Sequence, residues 1–137
     1  MGKLKILFLC TGNSCRSQMA EGFARQLRGD AIDAYSAGTE PHGLNRLAIQ
    51  AMSEAGVDIS RGHSKHVDEL KDVTFDYVVT VCDHAHETMP VDEHRLHWSV
   101  PDPVPSDTDE AFEAAYADLA ARIDRLAPFV PERSARR

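Results

Sequence analysis

The first thirty residues contain the pattern that most restricts the fold of this chain. An apolar run from Leu4 to Cys10, LKILFLC, is followed by the turn-forming residues Thr11-Gly12-Asn13-Ser14. The segment from Ser17 to Leu27 then has helix-forming residues with apolar side chains at every fourth position. Short apolar runs bounded by turn residues are typical of buried strands, and a four-residue apolar spacing is typical of helices. The sequence therefore predicts a strand, a tight loop and a helix in direct succession.

The same alternation continues along the rest of the chain. Further strands are predicted at Ala31 to Ala37, Phe75 to Val81 and Leu96 to Val100, and further helices at Asn45 to Ala55, Ser64 to Lys71 and Asp107 to Leu126. Alternating strands and helices predict an α/β fold with a parallel sheet and helices on both faces, a three-layer sandwich. We assign residues 1–130 to a single domain and 131–137 to a flexible basic tail, since 137 residues are typical of one domain.

Composition excludes several classes of protein. Three cysteines in 137 residues are too few for a secreted scaffold held by disulfides. A formal net charge of −7 argues against broad nucleic-acid binding, which depends on Lys and Arg. The apolar run near the N-terminus is too short for a signal peptide, and no run approaches the ~20 residues that span a bilayer. We expect a cytoplasmic monomer with reduced thiols, and neither nucleic acid nor membrane as a partner.

The loop between Cys10 and Arg16 has the spacing of an oxyanion site. Backbone N–H groups of such a loop, at the start of a helix, form a nest for a tetrahedral anion. Gly12 and Asn13 tolerate positive φ, and the planar fork of Arg16 matches two oxyanion oxygens. We expect the same field to lower the pKa of Cys10 below the ordinary ~8.5 of a thiol, which would make its thiolate a nucleophile. The predicted oxyanion-binding residues are Thr11, Gly12, Asn13, Ser14, Cys15, Arg16 and Ser17, and Ser17 is also placed to donate to the thiolate. The alternative is an ordinary buried cysteine beside a solvated arginine.

Cys10 to Gly22, CTGNSCRSQMAEG, resembles the active-site segment of the low-molecular-weight phosphatase fold, in particular of its arsenate reductase branch. The resemblance continues through Tyr35-Ser36-Ala37-Gly38, Asp58-Ile59-Ser60, Val79-Thr80-Val81-Cys82 and His97-Trp98. It implies a four-stranded parallel sheet with flanking helices. Two residues favour the reductase branch: Gln18 stands where the tyrosine phosphatases usually have Pro, and Val104 where they tend to have Tyr.

The resemblance also implies a reaction. Cys10 attacks arsenate, and Cys82 then attacks Cys10, which releases arsenite and leaves a Cys10–Cys82 disulfide. Asp102, in an Asp-Pro pair, is expected to be the general acid. One alternative is a phosphatase acting on phosphotyrosine or small phosphoesters, which would use Cys10, Arg16 and Asp102 while Cys82 only fills the sheet end. Another is a non-catalytic module that binds an oxyanion or senses redox state.

The sequence departs from the thioredoxin-coupled members of this branch at one position. Met89 stands where those proteins have a third cysteine that relays the disulfide to the surface. The relay therefore ends at Cys82 or involves Cys15, which lies in the loop. We expect an external thiol system, either glutaredoxin with glutathione or thioredoxin, to reduce the Cys10–Cys82 disulfide directly.

Residues beneath the loop complete the predicted site. Asn13, Glu21 and Ser36 match positions that bind a potassium ion in some family members, and Lys65 replaces the acidic fourth position. We hypothesise that the Lys65 ammonium replaces the cation and pairs with Glu21, whereas the alternative is a solvated lysine. Alternate residues such as Cys82, His84 and His86 fit a zinc site poorly, so neither a metal nor a cofactor is expected.

Overall fold

The computed structural model describes residues 3–13, 15–81, 95–98, 100, 103, 106 and 108–124. In chain order the elements are β1 (Leu4–Cys10), α1 (Arg16–Arg28), β2 (Ile32–Gly38), α2 (Arg46–Glu54), a 3-10 helix (Val67–Leu70), β3 (Tyr77–Thr80), β4 (Arg95–His97) and α3 (Asp109–Asp124). The predicted tail at residues 131–137 lies outside the described residues. Within the described part of the chain, no helix is both long and apolar enough to cross a bilayer.

The four strands form one sheet in the order β2-β1-β3-β4, and every neighbouring pair is parallel. The chain leaves β1 toward β2 on one side and later returns to β3 on the other side. In open parallel sheets a crevice forms where the strand order reverses in this way, beyond the carboxyl ends of the strands. Because Cys10 is the last residue of β1, the topology places it at this switch point.

The core lies around β1. Its last five residues, Ile6 to Cys10, are each at most 4% exposed. Successive side chains of a strand point to opposite faces, so both faces of β1 are covered. Helix α1 packs against β1, β2 and α3, and α2 contacts α1 and α3. The predicted α/β fold with a four-stranded parallel sheet is confirmed.

Several predicted boundaries differ from the structure. Strands β3 and β4 are shorter than predicted, and the helix predicted over Ser64 to Lys71 is reduced to the single 3-10 turn Val67–Leu70. The reason is that the backbone before this turn bonds elsewhere: the carbonyl of Lys65 accepts from the N–H of Gly38 at 2.9 Å. His66 then caps the turn, since its Nδ1 accepts from the N–H of Asp68 at 3.0 Å.

Candidate oxyanion-binding site

Cys10 ends the central strand in a buried position, with 4% of its surface exposed. It pairs with Gly38 of β2 on one side. On the other side, the N–H of Val81 donates to the carbonyl of Leu9 at 2.9 Å, which continues the β1–β3 pairing to the end of the strand. The thiol therefore lies where three parallel strands end together.

The loop after Cys10 directs its carbonyl groups outward. The carbonyl oxygens of Cys10, Thr11 and Gly12 accept hydrogen bonds from the backbone N–H groups of Thr39, Glu40 and His42 at 3.3, 2.8 and 2.9 Å. In a trans peptide the carbonyl and the following N–H point in opposite directions. The N–H groups that follow these three carbonyls therefore point away from the 39–42 segment, as an anion-binding nest requires.

Asn13 provides the left-handed turn of this loop, with φ of 47°. Gly12 was expected to share this role, but it does not have positive φ. The Asn13 side chain is fully buried. Its Oδ1 accepts from the backbone N–H of Lys65 at 2.9 Å, and its Nδ2 donates to Ser17 Oγ at 2.9 Å. Ser64 Oγ donates to the Asn13 carbonyl at 2.6 Å.

The next strand approaches the loop so closely that only glycine fits at position 38. A Cβ placed on Gly38 would lie 2.5 Å from the Thr11 carbonyl oxygen and 2.9 Å from the Asn13 nitrogen. Both neighbours are backbone atoms, so no side-chain rotation relieves the contact. The loop and the end of β2 are thus fitted to each other through the backbone.

Arg16, the first residue of α1, is half-buried and anchored to backbone carbonyls. Its Nη1 donates to the carbonyl of Val100 at 2.8 Å and lies 3.4 Å from the carbonyl of Val81. These bonds hold the guanidinium beside the residues that follow β3 and β4. A guanidinium fixed in this way presents a planar set of donors suited to two oxyanion oxygens.

Ser17 and Cys15 are buried on either side of Arg16. Ser17 is fully buried, and its Oγ accepts the bond from Asn13 Nδ2. Cys15 is 3% exposed, and its Sγ lies 3.6 Å from the Sδ of Met19 one turn later. Ser14, the remaining residue of the predicted nest, lies outside the described residues.

Comparison with known proteins identifies the family to which this site belongs. The family profile of low molecular weight phosphotyrosine protein phosphatases matches residues 5–135. The chain belongs to this family. An arsenate reductase of Halalkalibacterium halodurans is 48% identical over 129 residues, which cover 91% of this chain and 93% of that protein.

Solved structures of the phosphatase family have the same fold. A structure described as an arsenate reductase in the phosphate binding state superposes with a TM-score of 0.79 at 29% identity, covering 93% of this chain and 98% of that one. The low molecular weight protein tyrosine phosphatase from T. tengcongensis superposes with a TM-score of 0.81 at 24% identity, covering 93% and 99%. The second similarity supports the fold alone.

Beneath the phosphatase-family loop, one predicted ion pair is wrong. Glu21 does not pair with Lys65; it accepts a short hydrogen bond from Ser36 Oγ and forms an ion pair with Arg25 at 2.6 Å. The Lys65 ammonium instead donates to the carbonyls of Ser36 at 3.1 Å and His63 at 3.2 Å. Glu21 prefers Arg25 because the two residues lie one helical turn apart, whereas the Lys65 backbone is held at Asn13.

Five residues singled out from the sequence lie outside the described part of the chain: Cys82, His84, His86, Met89 and Asp102. Val81 and Val100, which precede Cys82 and Asp102 in the chain, are described and are the two residues whose carbonyls accept from Arg16. Across the described residues, no three Cys, His, Asp or Glu side chains are grouped as metal ligands.

One residue of the site was not recognised as such from the sequence. The sequence pattern distinguishes Gln18 only as a replacement for proline, yet the residue is 3% exposed and its amide bonds directly to the loop. A glutamine in the first turn of the helix after the loop was the available signal. Its three acceptors lie 5 to 45 residues away in the chain, so local pattern alone does not identify them.

Proposed function

We propose that this protein is an arsenate reductase in which Cys10 is the nucleophile. The observation that carries this proposal is the buried thiol at the switch point of the sheet, beside a loop whose carbonyls are bonded outward. The start of α1 adds the positive end of a helix dipole, which favours a bound oxyanion and the thiolate. The high identity to a protein named arsenate reductase supports arsenate as the oxyanion.

The proposed reaction has two steps on the protein. The Cys10 thiolate forms a sulfur–arsenic bond while one arsenate oxygen leaves as water, with a proton supplied by Asp102. Cys82 then attacks the sulfur of Cys10, so that a disulfide forms and the sulfur–arsenic bond breaks. Its electron pair stays on arsenic, which leaves as arsenite. Arg16 balances the charge of the oxyanion, and the backbone nest holds its oxygens.

Cys82→Ser tests the reductase against the phosphatase. We expect the variant to lose multiple turnover of arsenate reduction, because the arsenic adduct on Cys10 has no thiol to resolve it. Cys10→Ser should lose arsenate reduction entirely. Arsenite is measured with each thiol system supplied separately. Undiminished turnover of Cys82→Ser, or hydrolysis of an aryl phosphate by wild type without arsenite production, would contradict the proposal.

The reductant is proposed from the missing relay cysteine. With Met89 in its place, the Cys10–Cys82 disulfide is reduced directly by glutaredoxin with glutathione or by thioredoxin, in the cytoplasm. Reconstitution with each system, followed by mass mapping of disulfides after one turnover, distinguishes the two. A stable disulfide involving Cys15 after that turnover would assign Cys15 the relay role.

Lys65 is proposed to replace a cation beneath the loop. Its ammonium donates to the carbonyl of Ser36 at 3.1 Å, and Ser36 is one of the residues that match the family's potassium-binding positions, so a positive charge already meets this residue. We expect wild-type activity to be independent of potassium. A rise in activity or stability on adding potassium in place of sodium would contradict this role.

A further inference from the structure

We propose that Gln18 is a positioning residue that locks the oxyanion loop in its binding conformation. This inference rests on the proposed function only in taking the loop to be the oxyanion site. The Gln18 side chain is 3% exposed and lies in the first turn of α1, directly beneath the loop. It therefore acts on the anion through Asn13 and not by touching the anion.

One amide group of Gln18 joins three acceptors. Its Nε2 lies 3.1 Å from Asn13 Oδ1, 3.3 Å from the Asn13 carbonyl and 3.0 Å from the His63 carbonyl. Two of these acceptors belong to the residue with φ of 47°. A non-glycine residue in the left-handed region is strained and persists there only where its surroundings hold it. Gln18 contributes to fixing both the main chain and the side chain of Asn13.

The orientation of Asn13 decides the direction of the neighbouring peptide groups. The carbonyl of Gly12 points to His42, so the N–H of Asn13 that follows it points to the other side. A change of φ at Asn13 rotates this peptide and turns its N–H away from the nest. Loss of the Gln18 amide is therefore expected to reduce the number of N–H donors that can bind the oxyanion.

The Gln18 side chain is itself held from outside the loop. A Cβ on Gly62 would lie 2.8 Å from Gln18 Oε1, so the segment before His63 closes against the amide. Gln18 therefore connects three parts of the chain: the loop, the start of α1 and the 62–63 segment. A side chain restricted from both ends holds its acceptors with little loss of entropy on binding an anion.

The test compares phosphate binding by wild type, Gln18→Met and Gln26→Met with isothermal titration calorimetry. Methionine keeps the length and volume of glutamine but lacks the amide. Gln26 lies on the same helix, is exposed and is the matched control. We expect Gln18→Met to raise the Kd for phosphate by at least about fivefold, the effect of one lost hydrogen bond, while Gln26→Met stays within twofold of wild type.

A double-mutant cycle with Asn13→Ala separates positioning from general stability. If Gln18 acts through Asn13, the double variant binds phosphate no more weakly than the worse single variant. Additive losses, or an unchanged Kd in folded Gln18→Met, would overturn the inference. Should Gln18→Met fail to fold, Gln18→Asn is used, because its amide is one methylene too short to reach both Asn13 and His63; an unchanged Kd there also overturns it. Since phosphate binding requires no reduction, a failure of the reductase proposal appears separately, as absent arsenite.

Discussion

At the scale of single residues, the site depends on how closely one stretch of backbone passes another. A Cβ at Gly38 would collide with two backbone atoms of the loop, and Asn13 adopts a conformation that few residue types tolerate. The sequence indicated that the loop would turn between Gly12 and Asn13, but not which of them would turn. Asn13 makes the turn because Ser64 and Lys65, about fifty residues away, form hydrogen bonds with it. A local sequence pattern does not reveal partners at this distance.

Gly38→Ala is predicted to damage both stability and anion binding. The added methyl group displaces the Thr11 carbonyl or the Asn13 nitrogen, and overpacking of this kind costs about 1–3 kcal/mol. Urea denaturation and phosphate titration measure the two effects. Gly56→Ala is the comparison, since Gly56 has φ of 85° but no atom within 4 Å of its missing Cβ. It should lose stability without a change in the Kd for phosphate, and equal weakening of binding in both variants would contradict the argument.

Tyr35 gives the folded protein a dependence on alkaline pH. Burial raises the pKa of Tyr35 above its ordinary 10.0, and the carboxylate of Asp33, which accepts from Tyr35 Oη at 3.2 Å, raises it further. The folded state thus holds the phenolic proton more tightly than the unfolded state does. The resulting stability is present below pH 10 and is lost as pH rises through the raised pKa.

Tyr35→Phe should therefore lose less stability than wild type as pH increases above 10. The comparison is of the slopes of unfolding free energy against pH, taken from urea curves at several pH values. Parallel slopes would show that the Tyr35 proton does not contribute.

At the scale of elements, the strand, loop and helix at the N-terminus follow from the sequence almost residue by residue. The apolar run and the turn residues define β1 and its end at Cys10. At the start of α3, Thr108 Oγ1 accepts from the N–H of Ala111 at 3.2 Å. The helix predicted over Ser64 to Lys71 is wrong before Val67, because the Ser64 hydroxyl and the Lys65 N–H bond to Asn13 of the loop instead. Local propensity does not include such distant partners.

Asn45 at the start of α2 is predicted to stabilise that helix as its N-cap. Asn45 Oδ1 accepts from the backbone N–H groups of Leu47 at 2.8 Å and Ala48 at 3.2 Å, which caps the helix. Asn45→Ala should lower the free energy of unfolding by about 1 kcal/mol, whereas Asn45→Asp should retain most of it, because a carboxylate accepts the same bonds. Urea denaturation checks both, and an equal loss in the two variants would contradict the capping role.

At the scale of the whole molecule, the helices and the sheet share one core. Phe112 of α3 is fully buried, and the rings of Phe23 in α1 and Tyr116 in α3 lie 5.8 Å apart. The alternation of elements in the sequence predicts this layered arrangement. It does not predict contacts across large separations, such as the bond from Arg16 to Val100, 84 residues later, because these follow only from the assembled sheet.

Phe112→Ala is predicted to destabilise the entire fold. Removing a buried phenylalanine typically costs about 3–5 kcal/mol. Trp98 is the single tryptophan, and its ring lies 5.8 Å from that of Phe8, so its fluorescence follows unfolding of the sheet. Glu113→Ala, an exposed neighbour on the same helix, should unfold at nearly the wild-type urea concentration. If Phe112→Ala unfolded at the same urea concentration as wild type, α3 would not unfold together with the sheet, and the prediction would be contradicted.

The anchoring of Arg16 has a consequence for how one scaffold supports different chemistries. Its guanidinium binds the carbonyls of Val81 and Val100, the last described positions before the chain reaches Cys82 and Asp102. The segments that lead to Cys82 and Asp102 therefore start from two residues that Arg16 holds beside the oxyanion loop. We expect substitutions downstream of Val81 and Val100 to change what happens to a bound tetrahedral anion while its capture by Arg16 and the loop is retained.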